Sequence, residues 1–362
     1  MNEEIKKVSW LELFYDLAFI ALIAQLTYAV ADHHKSFTDI FLVGLIGYMI
    51  FIAWLGTTVS RNINATESTR DKLLIQLQMV LAFFMSLTLP GMFEGDLAPF
   101  FLSFALIRAL QLYIVRLGYK ERPEEAPKTK NVFWGSATAT ALWCIAGFIT
   151  LPYAFIIASM ALVIDILSPL TKGEGNTTRM LNIPHLQERL GLFLILVMGE
   201  SMLVVALANT VTSLGVAQPI IVLSGVILMI ALWWTYFGYL EKCAEGRRPN
   251  NMLLYLHAHA FLFGGVVVLS AAYKNFLKHE ELLMSDQLLL TGGVLLISCT
   301  MIIIRNTLET KNMMRTGAMR AMAIGIPLVG YIGYQTGEIV YSLALTTLWV
   351  TLAAIYDERK RM

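Results

Sequence analysis

The sequence predicts an all-α polytopic membrane protein with about twelve transmembrane helices and both termini in the cytoplasm. Two observations predict this class. Of the 362 residues, 57% are hydrophobic and only 15% are charged, whereas soluble domains have about 25% charged residues. Apolar runs that approach the length of about 20 residues needed to cross a bilayer recur along the chain. The lipid bilayer is therefore the first partner that the sequence implies.

The apolar runs number twelve and are separated by short connectors. They cover residues 9–31, 37–60, 72–90, 97–117, 131–150, 153–170, 188–209, 217–240, 252–273, 286–304, 317–334 and 338–356. Lys and Arg residues indicate the orientation, because cytoplasmic loops carry an excess of them. With the N-terminus inside, 22 of the 27 Lys and Arg residues fall on inner segments and three on outer loops. This alternation predicts an N-in, C-in topology.

The two halves of the sequence resemble each other. Trp54 in span 2 has a counterpart in Trp234 of span 8, at an offset of 180 residues (234 − 54). At the same offset Phe83 matches Phe263. We therefore expect a six-plus-six duplication with halves 1–170 and 171–362. Because six is even, both halves enter from the cytoplasm as a parallel internal repeat, which is typical of transporters.

Several classes of function have no support in the composition or motifs. The net charge of +1 predicts no nucleic-acid surface. Cys144, Cys243 and Cys299 lie far apart without metal-ligand spacing. Walker, HExxH and Gly-Xaa-Ser-Xaa-Gly motifs are absent from the sequence. The sequence thus predicts no metal and no cofactor.

Two ionisable residues lie near the predicted midplane of the bilayer. Glu200 interrupts the apolar part of span 7, and at about 1.5 Å per residue it lies roughly 15 Å deep. By the same rise Arg108 of span 4 lies about 16 Å deep. A buried arginine needs a partner, for which Glu200 is the first candidate and Asp16 the second. We therefore predict a substrate or ion site built from Glu200, Arg108 and Asp16.

A second set of polar residues lies near the predicted cytoplasmic ends of the spans. Its members are Glu12, Asp16, Asp165, His185, Glu188, Arg189 and His257. Glu12 and Asp16 are four residues apart and share a helix face. This layer is either a network of ion pairs that fixes helix register or a gate.

The chain resembles the bacterial low-temperature-requirement A (LtrA) family in several phrases. They are LELFYDLAF from Leu11, HLQERLGLF from His185, Gly199-Glu200-Ser201, WWTYF from Trp233, and His257. The resemblance covers nearly the whole chain and implies a multi-pass protein of the bacterial inner membrane. The family name records growth at low temperature and supplies no reaction.

Three functions remain open at this point. The first is a gradient-driven secondary transporter of a small molecule, an ion or a proton, with Glu200 and Arg108 in its site. The second is a non-transporting sensor, or an assembly or lipid-organising factor. The third is an intramembrane enzyme acting on a lipid, with Asp16, Glu188 and His185 as acid and base groups.

Overall fold

The structure, a computed structural model, describes residues 7–33, 36–63, 68–121, 126–170, 181–208, 217–279, 281–308 and 316–360. These ranges contain thirteen α-helices and no strand. In chain order they are α1 (Trp10–Asp32), α2 (Phe37–Ile63), α3 (Thr69–Thr88), α4 (Gly91–Glu94), α5 (Ala98–Glu121), α6 (Ala126–Ala146), α7 (Tyr153–Leu167), α8 (Ile183–Ala208), α9 (Ala217–Tyr239), α10 (Met252–Lys278), α11 (Met284–Leu308), α12 (Gly317–Gln335) and α13 (Ile339–Arg359). The predicted all-α class is confirmed.

Nine of the described helices are long and apolar enough to cross a bilayer. They are α1, α2, α3, α5, α8, α9, α10, α11 and α13. On α3, Leu73, Val80 and Leu87 lie seven residues apart on one face and are 60%, 65% and 63% exposed. A lipid-facing helix exposes such a stripe, whereas soluble monomers keep contiguous apolar patches small. The helical membrane class is thus confirmed, and α7, with 15 residues, is a shorter apolar helix.

The chain divides into two compact units. The first is built from the described parts of Met1–Gln25 and Tyr48–Arg189, and the second from those of Leu26–Gly47 and Leu190–Met362. The helices α1, α2 and α8 are divided between the units. The boundary predicted between residues 170 and 171 adjoins residues 171–180, which lie outside the described ranges.

In the first unit, helices that follow one another in the chain pack against each other. Helix α3 packs on α5, α5 on α6, and α6 on α7. Trp143 of α6 is fully buried there and stacks on Phe101, with ring centroids 5.9 Å apart. Phe104 meets the same indole edge-on at 5.3 Å. These aromatic contacts fix α5 against α6 and so position the polar side chains that α5 carries.

In the second unit, helices α9 to α13 form a closed ring of contacts. Each helix from α10 to α12 packs on the next, and both α10 and α13 pack on α9. The backbones of α10 and α11 approach closely at Gly265 and Gly293. A Cβ added at Gly293 would lie 3.0 Å from the backbone nitrogen of Leu269. Small residues therefore allow close contact between these helices, as is common in membrane bundles.

Candidate functional site

A capping box begins α1 and holds Glu12 in place. The Ser9 hydroxyl accepts a hydrogen bond from the Glu12 backbone N–H at 3.3 Å. In return Glu12 Oε2 accepts from the Ser9 backbone N–H at 2.8 Å and from the Ser9 hydroxyl at 2.9 Å. This reciprocal arrangement satisfies N–H groups that the first helical turn leaves without partners. The Ser-x-x-Glu spacing was visible in the sequence as a capping signal, so Glu12 has a structural role there.

Four of the predicted cytoplasmic-side residues meet in the first unit. Arg189 Nη2 lies 2.6 Å from Asp16 Oδ1, and His185 Nε2 lies 3.5 Å from Glu12 Oε1. Asp16 follows Glu12 on α1 by four residues, and Arg189 follows His185 on α8 by four residues. This spacing is about one helical turn. The beginnings of α1 and α8 therefore run in the same direction, with two acidic groups facing two basic ones.

Asn62 of α2 determines which nitrogen of the His185 ring accepts a hydrogen bond. Asn62 Oδ1 accepts from the backbone N–H of Asn182 at 2.8 Å, so its amide nitrogen is the atom facing His185. That nitrogen donates to the Asn182 carbonyl at 2.9 Å and lies 3.1 Å from His185 Nδ1. Nδ1 therefore accepts, and in the neutral ring the proton is on Nε2, which faces Glu12.

The Asp16–Arg189 pair is fully enclosed. Asp16 is 0% exposed and Arg189 is 1% exposed. Trp54 Nε1 donates to Asp16 Oδ1 at 2.6 Å, and the Trp54 ring lies 5.9 Å from the guanidinium carbon. Within the described ranges Asp16 Oδ2 and Arg189 Nε and Nη1 have no hydrogen-bond partner. The pair thus keeps one acceptor and two donor atoms for a further polar group.

Arg108 has a different partner from the one predicted. Its Nη2 lies 2.6 Å from Asp165 Oδ1, and Trp143 Nε1 donates to the other Asp165 oxygen at 3.2 Å. The predicted pairing with Glu200 is wrong, because depth along a helix does not determine which helices lie beside it. Asp165 is on α7, which packs on α6, the same helix that packs on α5. A long arginine side chain reaches a carboxylate at another depth.

A directed chain of hydrogen bonds continues from Arg108 across the first unit. Arg108 Nη1 donates to Gln111 Oε1 at 3.0 Å, and Gln111 Nε2 donates to Thr57 Oγ1 at 3.1 Å. Thr57 donates to Gln78 Oε1 at 2.6 Å, and the Tyr15 hydroxyl lies 3.0 Å from Thr57 Oγ1. Sequence reasoning missed this network, because neutral Gln and Thr residues in a span carry no charge signal. It connects Arg108 to the residue adjacent to Asp16.

Glu200 differs from every other buried acidic residue that the structure describes. Together with Glu200, the buried acidic residues of the described part of the chain number seven: Glu12, Asp16, Asp71, Asp165, Glu200, Asp286 and Asp357. Six of them lie within 4.0 Å of an Arg or His side chain. Glu200 is 4% exposed, and Thr27 Oγ1 donates a hydrogen bond to its Oε2 at 3.4 Å. Its Oε1 has no hydrogen-bond partner among the described residues.

Two predicted members of the cytoplasmic-side network lie elsewhere. Glu188 is exposed, and the structure does not bring it into the group around Arg189. The helix turns by about 100° per residue, so the Glu188 side chain points in a direction about 100° from that of Arg189. His257 belongs to α10 in the second unit and is half-buried. Each of these residues was placed in the network by its depth alone.

The second unit holds an arginine–aspartate pair that sequence reasoning missed. Arg305 of α11 binds Asp357 of α13 through two parallel hydrogen bonds of 2.9 and 2.8 Å. Its Nη2 also donates to the carbonyl of Thr235 at 2.9 Å, and Tyr239 covers its guanidinium at 4.4 Å. A partial signal was present in the sequence, because Arg305 and Asp357 each lie one residue beyond the predicted spans 286–304 and 338–356, the fourth and sixth of the proposed second half. Arg108 and Asp165 occupy the corresponding spans in the first half.

His259, one turn beyond Tyr255 on α10, is a fully buried histidine with both ring nitrogens engaged. Its Nδ1 lies 2.7 Å from the Tyr255 carbonyl and its Nε2 lies 2.9 Å from the Tyr236 hydroxyl. Nδ1 must therefore donate and Nε2 accept.

Among the residues the structure describes, no group of three or more His, Cys, Asp or Glu side chains is placed to hold a metal ion.

Two comparisons with known proteins agree with the resemblance seen in the sequence. The chain is similar to the uncharacterized protein RA0937 of Rhizobium meliloti (strain 1021), with 22% identity over 300 residues, covering 77% of this chain and 71% of that protein. The family profile described as bacterial low temperature requirement A protein (LtrA) matches residues 7–356. That match includes α1, α8 and the Asp16–Arg189 and Arg108–Asp165 pairs, and it ends one residue before Asp357. The chain is a polytopic membrane protein that belongs to the bacterial LtrA family.

Proposed function

We propose that this protein is a gradient-driven secondary transporter of a small solute or ion in the bacterial inner membrane. The observation that carries the proposal is the isolation of Glu200 from any basic partner in the described part of the chain. An unpaired carboxylate buried in a spanning helix is costly and by default indicates function. Binding a cation or a proton neutralises the carboxylate and removes that cost. Release of the cation or proton restores the cost, as a transport cycle requires.

The proposed topology has twelve spans, with α6, α7 and α12 crossing in addition to the nine apolar helices. Both termini are cytoplasmic, and the halves 1–170 and 171–362 are parallel repeats. The two arginine–aspartate pairs support the repeat. Arg108 of α5 meets Asp165 of α7, and Arg305 of α11 meets Asp357 of α13. In each half the pair joins the helix of the fourth predicted span to the helix of the sixth, which a duplication would explain.

The proposal gives separate roles to the three residues predicted to form the site. Glu200 binds the ion or the cationic group of the solute. Asp16, held by Arg189, offers its free Oδ2 to the solute. Arg108 positions the polar network in the first unit through Gln111 and Thr57. The residues around Arg189 act as a gate near the cytoplasm.

A non-transporting sensor or assembly factor is the alternative. It is favoured by the pairing of the other buried charges, because ion pairs such as Arg305–Asp357 hold helices in fixed register. Such a protein needs no exchangeable ligand at Glu200. In this case Glu200 is a structural contact of α8 with Thr27, and its loss changes stability alone.

A thermal-shift screen of the purified protein tests the proposal against the alternative. Wild type and the Glu200→Gln variant are compared against a panel of metabolites, lipids and salts, with Glu94→Gln, at an exposed residue, as the matched control. We expect a ligand that raises the melting temperature of wild type and Glu94→Gln but not of Glu200→Gln. Absence of any such ligand, with Glu200→Gln uniformly less stable, would favour the alternative.

A further inference from the structure

We infer that the ion exchanged at Glu200 is a proton and not a metal cation. This inference rests on the transport function proposed above and names its coupling ion. It is drawn from the side chains around Glu200, the continuity of the two helices that meet there, and the distribution of charge along them.

Among the described residues, Glu200 belongs to no group of three or more His, Cys, Asp or Glu side chains that could hold a metal cation. Hard cations such as Ca²⁺ and Mg²⁺ take about six or more oxygen ligands. Thr27 Oγ1 donates a hydrogen bond to Glu200 Oε2 at 3.4 Å. A proton needs a single oxygen, and Oε1 has no hydrogen-bond partner among the described residues.

The helices that carry Glu200 and Thr27 are not unwound at these residues. Sodium sites in transporters use carbonyls released where a spanning helix is unwound. Helix α8 runs without interruption from Ile183 to Ala208, and α1 from Trp10 to Asp32. The carbonyls beside Glu200 and Thr27 therefore remain in helical hydrogen bonds. The carbonyl of Val197 additionally accepts from Ser201 at 3.0 Å.

No fixed positive charge balances Glu200 on either helix. Between residues 190 and 208 of α8, Glu200 is the single ionisable side chain. In the second-unit part of α1 the ionisable groups are Tyr28 and Asp32, and Asp32 lies 3.4 Å from Lys274 and 3.8 Å from Lys278. None of the described titratable side chains forms an ion pair with Glu200. A proton removes its charge without any further ligand.

The exchange itself is a simple acid–base step. One O–H bond forms on the Glu200 carboxylate when a proton arrives from the aqueous phase on one side. The same bond breaks when the proton leaves to the other side. Thr27, whose hydroxyl can both donate and accept, stays within reach of the carboxyl group in either form.

Infrared difference spectroscopy of the reconstituted protein tests this inference directly. Wild type is compared with Glu200→Gln and Thr27→Val, in sodium buffer and in choline buffer. We expect a protonated-carboxyl C=O band in wild type that is lost in Glu200→Gln and lost reversibly in wild type as the pH is raised. In Thr27→Val the band shifts to higher frequency, because one hydrogen bond to the carboxyl group is gone. The spectra in the two buffers coincide.

Two results would overturn the inference. One is a carboxylate band of Glu200 that changes when sodium replaces choline. The other is a carboxyl band that does not respond to pH or to Thr27→Val. If Glu200→Gln does not fold, the Thr27→Val shift and the buffer comparison still decide. The spectra report on the proton whether or not transport occurs, so failure of the transport proposal is distinguishable in a separate flux assay.

Discussion

Thr27 Oγ1 lies 3.4 Å from Oε2 of Glu200, and this hydroxyl is the polar group that the described structure places against the carboxylate. Asp16, Asp165 and Asp357 are buried to a similar degree, yet each meets an arginine. Each of these three carboxylates joins two helices through its arginine, whereas Glu200 has no basic partner among the described residues.

The Asp16–Arg189 pair is expected to contribute to stability through mutual compensation. Asp16→Asn or Arg189→Met alone leaves a buried charge without its partner, which costs about 3–5 kcal/mol. The double variant should lose much less than the sum, because no uncompensated charge remains. Thermal and denaturant unfolding of all four proteins gives the coupling energy. Additive losses would show that the two side chains do not stabilise one another.

The two arginine–aspartate pairs should respond differently to lysine. Arg305 binds Asp357 through two nitrogens, whereas Arg108 reaches Asp165 through one. A lysine cannot reproduce the two-nitrogen contact. We expect Arg305→Lys to lower the free energy of unfolding by roughly 1.5–3 kcal/mol more than Arg108→Lys, the value of one hydrogen bond to a charged group. Equal losses in denaturant unfolding would contradict the difference in geometry.

Gly56 is expected to be essential for the position of Gln111. A Cβ added at Gly56 would lie 2.3 Å from Gln111 Oε1, the atom that accepts from Arg108. Gly56→Ala should therefore lower stability by about 1–3 kcal/mol through overpacking. Gly44→Ala on the same helix is the matched control, because a Cβ there meets no atom within 4 Å. We expect that variant to gain up to about 1 kcal/mol from helix propensity, and equal losses would contradict the prediction.

The contacts within the group around Arg189 involve four residues that the sequence analysis placed in one layer. Glu12 and Asp16 are one turn apart on α1, and His185 and Arg189 are one turn apart on α8. Spacing and depth were sufficient because both helices begin at the same predicted side of the bilayer. Acidic and basic side chains at equal predicted depth could therefore form ion pairs, and the structure brings these four residues together.

The partner of Arg108 could not be predicted in the same way. Counting residues gives depth, but it does not show which helices are neighbours. A comparison of the two halves would have given a hint, because an arginine and an aspartate occur in or directly after the fourth and sixth predicted spans of both. The contribution of Trp54, Gln111 and Thr57 was also hidden, since an aromatic or amide side chain in a span has many possible roles.

The most direct test of the central claim is solute uptake into liposomes that contain wild type, Glu200→Gln or Glu94→Gln protein. The tracer is the ligand that stabilises wild type in the thermal-shift screen. We expect gradient-dependent uptake with wild type and Glu94→Gln, and loss of uptake with Glu200→Gln. The last variant should keep its unfolding free energy to within about 1 kcal/mol, because glutamine resembles the neutral carboxyl group and breaks no ion pair. Undiminished uptake by a well-folded Glu200→Gln protein would contradict the assignment of Glu200.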